Sequence, residues 1–187
     1  VSYDDPSVRA TYGHAFDMVP TDTYDCTYQY DGADDTQFLL SEDVHSAKVA
    51  CVYESQHDET IEAVSTFYMN DAGGTYTAQV YLNPTSKDNP QTGTLKATET
   101  GTFPCDGYYT THLKNPVFVK KGEKFSVVYT ITIPSTDNGG VIFMGAYDES
   151  YYPFEVINDC EYGQGYSFDN DGWVDWAGIE GGASPRV

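Results

Sequence analysis

Positive charge is scarce in this sequence, which has 9 Lys and Arg residues against 29 Asp and Glu residues. The formal net charge of -20 surrounds the protein with a negative field. That field repels the phosphates of nucleic acids and the headgroups of anionic lipids, because both carry negative charge. The composition therefore excludes nucleic acids and membrane surfaces as expected partners. Ca²⁺ is favoured instead, since it prefers carboxylate oxygens, although acidic residues also keep an exported protein soluble.

Long apolar runs are also missing. No stretch of about eighteen apolar residues, the length that spans a bilayer, occurs in the sequence. No basic segment followed by an apolar one, as in a secretory leader, stands at the start. Because the chain begins with Val1 and ends on what resembles a strand cut short, we expect an excised piece of a longer polypeptide. A chain of 187 residues is long enough to bury one sizeable core.

Cysteine is limited to Cys26, Cys51, Cys105 and Cys160. Their spacing contains no C-x-x-C pair and no Cys and His pattern of a structural zinc site. Four cysteines in an exported protein permit two disulfides with three connectivities, whereas a domain of this size also folds with free buried thiols. The sequence leaves these two alternatives open and predicts no zinc.

Local signatures of catalysis are absent. The sequence has no G-x-S-x-G segment, no cysteine in papain-like surroundings and no H-E-x-x-H motif. Its four histidines fall where surface residues are more common than catalytic bases. A glycosidase needs two carboxylates across a cleft, and 29 acidic residues do not identify a pair. We therefore predict no catalytic residues and a protein that binds rather than catalyses.

Alternation of apolar and polar residues predicts a β-rich fold. Turn residues such as Asn83-Pro84 and Gly122 separate segments in which β-branched and aromatic residues alternate or run together. The predicted strands are 47–53, 61–69, 76–82, 107–113, 124–133 and 141–147. No segment sustains the 3.6-residue period of an amphipathic helix. Short strands at this regular spacing predict an antiparallel β-sandwich.

The N-terminal segment differs in composition from the rest of the chain. Residues 1–36 are rich in Asp, Tyr and Thr and contain few aliphatic side chains. We expect residues 1–36 to form a connector and edge segment that packs on the sandwich, and residues 37–187 to form the sandwich itself.

Two acidic clusters are candidate calcium sites. The first contains Asp169, Asp171 and Asp175, and the second contains Asp31 and Asp34. Carboxylates on tight turns supply the oxygen ligands that Ca²⁺ needs. Because the first and last strands of a sandwich can lie side by side, both clusters are predicted to converge on one ion. The first cluster lacks the spacing of an EF-hand, and an ordinary Asx turn is the alternative.

Aromatic side chains are a further candidate feature, since the sequence has 17 Tyr, 9 Phe and 2 Trp. Planar rings at the rim of a sandwich stack on sugars, while neighbouring polar groups bond to the sugar hydroxyls. The candidates for such contacts are Trp173, Trp176, Tyr151 and Tyr152. The alternative for each is a place in the core or at a strand edge, where Trp and Tyr are common in sandwiches.

An ordered series of short segments resembles the lectin-like domain attached to papain-family cysteine proteases of bacterial cell surfaces. The series opens with Y-Q-Y-D-G at 28–32, K-V-A-C-V-Y at 48–53 and E-T-I-E-A-V-S-T-F-Y at 59–68. Further matching segments are 75–81, 107–113, 116–117, 121–128, 167–168 and 171–175. The resemblance covers nearly the whole chain, and its specificity lies in the order of the pieces.

This resemblance implies a jelly-roll-like sandwich, similar to carbohydrate-binding modules, that is secreted or displayed with a cysteine protease and binds calcium in some members. The protease triad would lie upstream of Val1. Two departures are the interruption of the family's G-Q-S-F within 163–168 and a last strand only begun by Arg186-Val187. We expect a monomeric accessory module whose partners are its own protease domain and glycans. A structural spacer and, less favoured, a glycan-active enzyme are the alternatives.

Overall fold

The chain is all-β in the part that the structure describes. The computed structural model describes residues 23–30, 36–39, 44–134, 140–147, 149–151, 154–156, 160–169, 172–178, 183–185 and 187. The strands are β1 (Thr36–Leu39), β2 (Ser46–Glu54), β3 (Glu59–Tyr68), β4 (Gly74–Leu82), β5 (Thr94–Phe103), β6 (Gly107–Val119), β7 (Lys124–Thr132), β8 (Ile142–Tyr147), β9 (Glu149–Tyr151), β10 (Phe154–Val156), β11 (Gly165–Asp169), β12 (Gly172–Asp175) and β13 (Ala183–Pro185). A 3₁₀ turn, Trp176–Gly178, follows β12. Across these ranges the structure shows no helix with the length and apolar character of a membrane span.

All six predicted strands are confirmed, as β2, β3, β4, β6, β7 and β8. The predicted antiparallel sandwich is confirmed as well. The sequence does not predict β5, because Ala97, Glu99 and Phe103 are its buried residues and most others are Thr. A strand with so few apolar residues on its inner face gives a weak alternating signal.

The larger sheet has six antiparallel strands in the order β12-β11-β2-β7-β4-β5. Strands β2 and β7 pair over nine positions, from Ser46 with Thr132 to Glu54 with Lys124. Successive residues at the centre of this sheet, such as Val127 and Val128, are both buried. The sheet is therefore covered on both faces at its centre, which explains the continuous apolar run in β7.

The opposing layer contains the β3–β6 pair and the three-stranded sheet β1-β8-β13. From the larger sheet, Tyr129 reaches across the core and donates its hydroxyl to the backbone oxygen of Val64 on β3 at 3.0 Å. The hydroxyl of Thr111 on β6 donates to that of Tyr76 on β4 at 3.1 Å. These bonds satisfy buried hydroxyls and join the two layers, because a buried polar group without a partner costs free energy.

The side-chain amide of Asn70 links β3 to β8 by forming the hydrogen bonds that a backbone amide would form. Its side-chain amide donates to the backbone oxygen of Gly140 at 2.8 Å, and its side-chain oxygen accepts from the backbone nitrogen of Ile142 at 3.0 Å. Asn70 is buried, so these bonds form away from solvent. The chain leaving β3 is thereby fixed beside the start of β8.

The main core fills the space between the two layers. Stacked rings of Tyr68 and Phe103, with centroids 4.1 Å apart, close one end of it. Gly74 lies against this stack, where a Cβ would stand 2.2 Å from the Tyr68 hydroxyl. Burying each large apolar side chain stabilises the fold by about 1.5–3 kcal/mol, so this core is the principal source of stability. Its members include Val49, Tyr53, Val80, Val119, Val127, Ile131, Val141, Phe143 and Trp176.

The described part of the N-terminal segment, residues 23–30, lies against the sandwich. Tyr30 stacks on Tyr53 with ring centroids 4.9 Å apart, and its hydroxyl donates to the backbone oxygen of Val52 at 2.8 Å. Tyr28 donates its hydroxyl to Oε1 of Glu59 at 2.5 Å, and burial raises the pKa of Tyr28 to about 12. We call Tyr28, Tyr30 and Tyr53 the tyrosine clasp. The boundary at residue 36 stays a prediction.

The structure contains no disulfide among the four cysteines and so favours the alternative with thiols. Cys51 is buried in β2, and its Sγ donates to the backbone oxygen of Pro185 at 3.4 Å. Burial raises the pKa of the Cys160 thiol to about 12. Cys51 thus behaves as a small core residue, as buried cysteines commonly do.

Candidate ligand-binding site

The outer face of the six-stranded sheet, turned away from the core, carries a cluster of aromatic and polar side chains. Register places Lys48 on β2 opposite Phe168 on β11, and Phe168 opposite Trp173 on β12. Directly opposed residues on neighbouring strands point to the same face of a sheet. Strand β2 and the consecutive strands β11 and β12, which are far from β2 in the sequence, therefore bring a cation and two rings together.

The ammonium group of Lys48 lies over both rings. Its Nζ is 5.0 Å from the ring centre of Phe168 and 5.9 Å from that of Trp173. The two rings meet edge to face, with centroids 5.2 Å apart. Each cation–π contact contributes about 0.5–2 kcal/mol, depending on how much water is excluded. All three side chains are partly exposed, so the cluster presents ring surface and a cation to solvent.

The loop between β4 and β5 covers the neighbouring part of this face. It begins at Asn83, whose φ of 54° turns the chain back over the sheet. Ser126 donates its hydroxyl to the backbone oxygen of Pro90 at 2.5 Å, and Tyr166 donates to that of Lys87 at 2.6 Å. Inside the loop, Oγ1 of Thr92 accepts two backbone N–H groups. The sheet thus holds the loop in place at two points.

Gln91, at the end of this loop, joins the cluster to the sheet. Its Oε1 accepts from the Lys48 ammonium at 2.9 Å, and its Nε2 donates to the Tyr81 hydroxyl at 3.0 Å. The Tyr81 hydroxyl in turn donates to Oε1 of Gln79 at 3.0 Å. This chain of bonds aligns amide, hydroxyl and ammonium groups beside partly exposed rings. Such a combination of an apolar surface and a few fixed polar groups is typical of ligand sites.

The two tryptophans predicted to contact sugars lie on opposite faces. Trp173 points outward into the cluster, whereas Trp176 is 1 % exposed and belongs to the main core. The indole Nε1 of Trp176 donates to Oγ of Ser167 at 2.8 Å. Burial leaves Trp176 no open ring face for a sugar in this structure, which corrects the expectation for that residue. Tyr151 lies on β9, its side chain outside the described part, and Tyr152 lies outside the described residues.

Asp175 is the predicted calcium ligand whose side chain the structure describes. Its carboxylate accepts the backbone N–H of Gly163 at 2.7 Å and that of Ala177 at 3.0 Å. Burial raises the pKa of Asp175, and these two bonds oppose the shift. Asp175 thereby caps the 3₁₀ turn, which is the local role of an Asx residue.

The other predicted calcium ligands do not contribute described side chains. Asp169 ends β11, but its side chain lies outside the described part, as do Asp31, Asp34 and Asp171 altogether. Among the side chains that are described, no three carboxylates, thiols or imidazoles gather as metal ligands would. The calcium site stays a prediction.

A cleft of about 1010 Å³ lies where residues 23–29 cross the start of β3. Asp25, Asp58, Glu59 and Glu62 are among its lining residues. Glu59 is engaged there by Tyr28 and by the hydroxyl of Ser55. The bond from Tyr28 attaches the N-terminal segment to the sandwich, and we therefore assign this cleft to attachment rather than to ligand binding.

Lys48, Gln79, Gln91 and Phe168 are site residues that the sequence does not identify. Alternation along each strand indicates which residues share a face, but it does not indicate that β2 lies between β7 and β11. The signal nearest to the site is Trp173, which the aromatic pattern does single out. Strand order was the missing information.

Two solved structures of the clostridial cysteine protease Cwp84 resemble this fold. The first, a variant after propeptide cleavage, is 19% identical with a TM-score of 0.61, covering 82% of this chain and 36% of that chain. The second contains the cysteine protease and lectin-like domains of Cwp84, a surface layer associated protein of Clostridium difficile. It is 21% identical with a TM-score of 0.53, covering 78% of this chain and 33% of that chain.

The present chain therefore spans about a third of the length of those structures. At these identities the likeness shows the fold. No curated protein matches the chain. Residues 27–183, more than half of the chain, match the family model described as the lectin-like domain. The chain belongs to the lectin-like domain family.

Proposed function

We propose that this chain is a non-catalytic accessory module of a secreted or cell-surface cysteine protease, and that it binds carbohydrate on the outer face of the six-stranded sheet. The single observation that carries the proposal is the cluster in which Trp173, Phe168 and Lys48 meet on that face. The partly exposed ring of Trp173 offers the flat apolar surface on which a sugar ring stacks.

The polar groups around the rings suit sugar hydroxyls. A hydroxyl both donates and accepts hydrogen bonds, and Gln79 and Gln91 have amide groups that do the same. Their bonds to Tyr81 and to one another fix these groups before any ligand arrives. Preorganisation of this kind favours binding, because less side-chain freedom is lost when the ligand binds.

The context of the related structures supports the accessory role. In Cwp84 the lectin-like domain stands in one chain with a cysteine protease domain, and Cwp84 is a surface layer associated protein. The tyrosine clasp holds residues 23–30 of the present chain against its sandwich. A segment held in this way would fix the direction in which a preceding domain is attached.

A glycan array tests the proposal directly. The parent chain and a Trp173→Ala variant are applied with and without a calcium chelator, and Val174→Ala serves as the matched control on the same strand. Val174 is 48% exposed and points to the opposite side of β12 from Trp173. We expect saturable binding by the parent and the control, with about tenfold or greater loss of affinity in Trp173→Ala.

Absence of binding to every glycan, or unchanged binding by Trp173→Ala, would contradict the proposal. The chelator separates a calcium-dependent lectin from a calcium-independent one. A spacer that supports the protease domain is the second candidate, and the tyrosine clasp is the observation that favours it. A spacer predicts no glycan binding and a loss of protease stability or maturation when the module is removed from the parent polypeptide.

A further inference from the structure

The outer face continues well beyond the aromatic cluster, as a row of side chains that crosses all six strands. Lys48 lies opposite Thr130 on β7, Thr130 opposite Thr77 on β4, and Thr77 opposite Thr100 on β5. The whole row is Trp173, Phe168, Lys48, Thr130, Thr77 and Thr100. With strands about 4.8 Å apart, the row extends for about 24 Å.

A second row of hydroxyls runs beside the first. Ser46 lies opposite Thr132, Thr132 opposite Thr75, and Thr75 opposite Thr102. The hydroxyls of Ser46 and Thr132 are 3.0 Å apart, within hydrogen-bonding distance. All four side chains are exposed. Together the two rows form a strip, which we call the hydroxyl strip, with rings at the β12 end and threonines at the β5 end.

The hydroxyl strip is free of carboxylates, although the chain contains 29 Asp and Glu residues. Its ten positions hold six Thr, one Ser, one Lys and the two aromatic residues. Apart from the Lys48 ammonium the strip is uncharged, and such a surface in a protein of net charge -20 is unsuited to a cationic ligand, which the rest of the surface would attract instead. It matches a neutral ligand that is itself covered with hydroxyls.

The β4–β5 loop borders the strip without covering it. Pro90 of the loop is held over Ser126, and Gln91 reaches Lys48 at the edge of the first row. In the neighbouring row, Val128 and Ala50 are buried. The loop therefore borders the strip along one side. The strip itself is an open, elongated surface rather than a pocket for one sugar.

We propose that the hydroxyl strip binds a neutral polysaccharide in extended conformation, lying across the strands with several consecutive sugars in contact. One sugar stacks at Trp173, and the following sugars exchange hydrogen bonds with Gln91 and the threonine hydroxyls. This inference rests on the proposed carbohydrate-binding function and specifies its ligand class. A terminal sugar bound at Trp173 alone would leave the threonine half of the strip without a role.

Affinity for a series of oligosaccharides of increasing length tests the inference. The series is prepared from the neutral glycan that binds best on the array, from disaccharide to hexasaccharide, and binding is measured by titration calorimetry. The double variant Thr77→Val and Thr130→Val removes two hydroxyls without changing side-chain shape much. Thr60→Val on β3 is the matched control, since Thr60 is exposed and lies outside the strip.

We expect affinity to rise with each added sugar until the strip is filled. The double variant is expected to bind the hexasaccharide about fivefold to thirtyfold more weakly, as loss of two hydrogen bonds implies, and to bind the disaccharide as the parent does. The control is expected to match the parent for both ligands. Circular dichroism and thermal unfolding of each variant confirm that the fold is retained.

Equal affinity for disaccharide and hexasaccharide would overturn the inference while leaving carbohydrate binding intact. An unchanged hexasaccharide affinity in the double variant would overturn it as well. Binding confined to charged glycans would exclude the proposed ligand class. Failure of every glycan to bind would instead refute the proposed function itself, and the inference would fall with it.

Discussion

The Nζ atom of Lys48 lies 5.0 Å from the ring centre of Phe168, and the same atom donates to Oε1 of Gln91 at 2.9 Å. A single side chain thus joins strand β2, strand β11 and the loop before β5. Because these elements are distant in the sequence, the contact forms only when the six-stranded sheet is assembled. Lys48 therefore organises the candidate ligand site as well as belonging to it.

Replacing Lys48 with Met tests this organising role. Met retains an apolar stem of similar length but loses the ammonium group, the contacts with both rings and the bond to Gln91. We expect the free energy of unfolding to fall by about 1–2 kcal/mol in urea denaturation, and glycan affinity to weaken. Lys96→Met on β5 is the control, because Lys96 is an exposed lysine. Equal losses in the two variants would deny Lys48 a special role.

Truncation of Trp176 tests whether this tryptophan, unlike Trp173, contributes mainly to the stability of the fold. Trp176 is buried in the main core, so Trp176→Ala is expected to lower the free energy of unfolding by about 3–5 kcal/mol. Tyr162 is 65% exposed, and Tyr162→Ala is expected to change it by less than about 0.5 kcal/mol. Chemical denaturation followed by circular dichroism measures both. A Trp176→Ala protein as stable as the parent would contradict the placement of the indole in the core.

The tyrosine clasp predicts a graded response at Tyr30. Tyr30→Phe removes the hydrogen bond to the backbone oxygen of Val52 and leaves the stack on Tyr53, so we expect a loss of about 1 kcal/mol. Tyr30→Ala removes the stack too and is expected to cost more. Limited proteolysis then distinguishes the variants, since release of residues 23–30 exposes them to cleavage. Equal protection of parent and Tyr30→Ala would show that the clasp does not hold this segment.

The ion pair of Glu99 and Lys114 predicts that the stability of the fold depends on pH. The backbone N–H of Lys114 donates to Oε1 of Glu99 at 2.8 Å, and the ammonium lies 3.2 Å from Oε2. The backbone bond, followed by the ammonium, lowers the pKa of Glu99 below its ordinary value of 4.5. Because the pKa of Glu99 is lower in the folded protein than in the unfolded chain, its ionised carboxylate stabilises the fold at pH values above the unfolded-state pKa. This stabilisation is lost as the pH falls through the folded-state pKa.

Glu99→Gln is therefore expected to lower the Tm at neutral pH. The difference between parent and variant should shrink as pH falls below about 4.5 and vanish once Glu99 is protonated in the folded state. Thermal unfolding across a pH series measures it. A difference that stayed constant from neutral to strongly acidic pH would show that the charge of Glu99 has no part in the effect.

Calcium binding remains open to a direct test at Asp171. If the two acidic clusters share one ion, Asp171→Ala abolishes or greatly weakens calcium binding in titration calorimetry, because each carboxylate ligand contributes to affinity. Asp106→Ala is a suitable control, since Asp106 is exposed in the turn before β6. Equal calcium affinity in the parent and in Asp171→Ala would refute the predicted site.

Much of the fold can be predicted from the sequence, because burial of one face imposes a period of two on strands such as β3 and β6. Strand β5 cannot be predicted in this way, because its inner face includes Glu99. The carboxylate of Glu99 accepts the backbone N–H of Lys114 on β6. The short strands β9 and β10 cannot be predicted in this way either, because three residues do not make a pattern.

The candidate site is less predictable than the fold. Trp173 is recognisable as an aromatic candidate, yet its separation from Trp176 depends on which face of the sheet each occupies. The threonines of the hydroxyl strip look like ordinary solvent-facing strand residues. Their alignment with Lys48 arises from the pairing of strands. Local alternation of residues does not predict which distant segments pair.

The most direct test of the account is NMR mapping of the bound glycan. Amide chemical shifts of the labelled chain are followed while the best neutral oligosaccharide from the array is added. We predict the largest changes on the outer face of the six-stranded sheet, at Lys48, Thr77, Thr130, Phe168 and Trp173. Changes confined to β3, β6 and residues 23–29, or no changes at all, would contradict the assignment of ligand binding to this face.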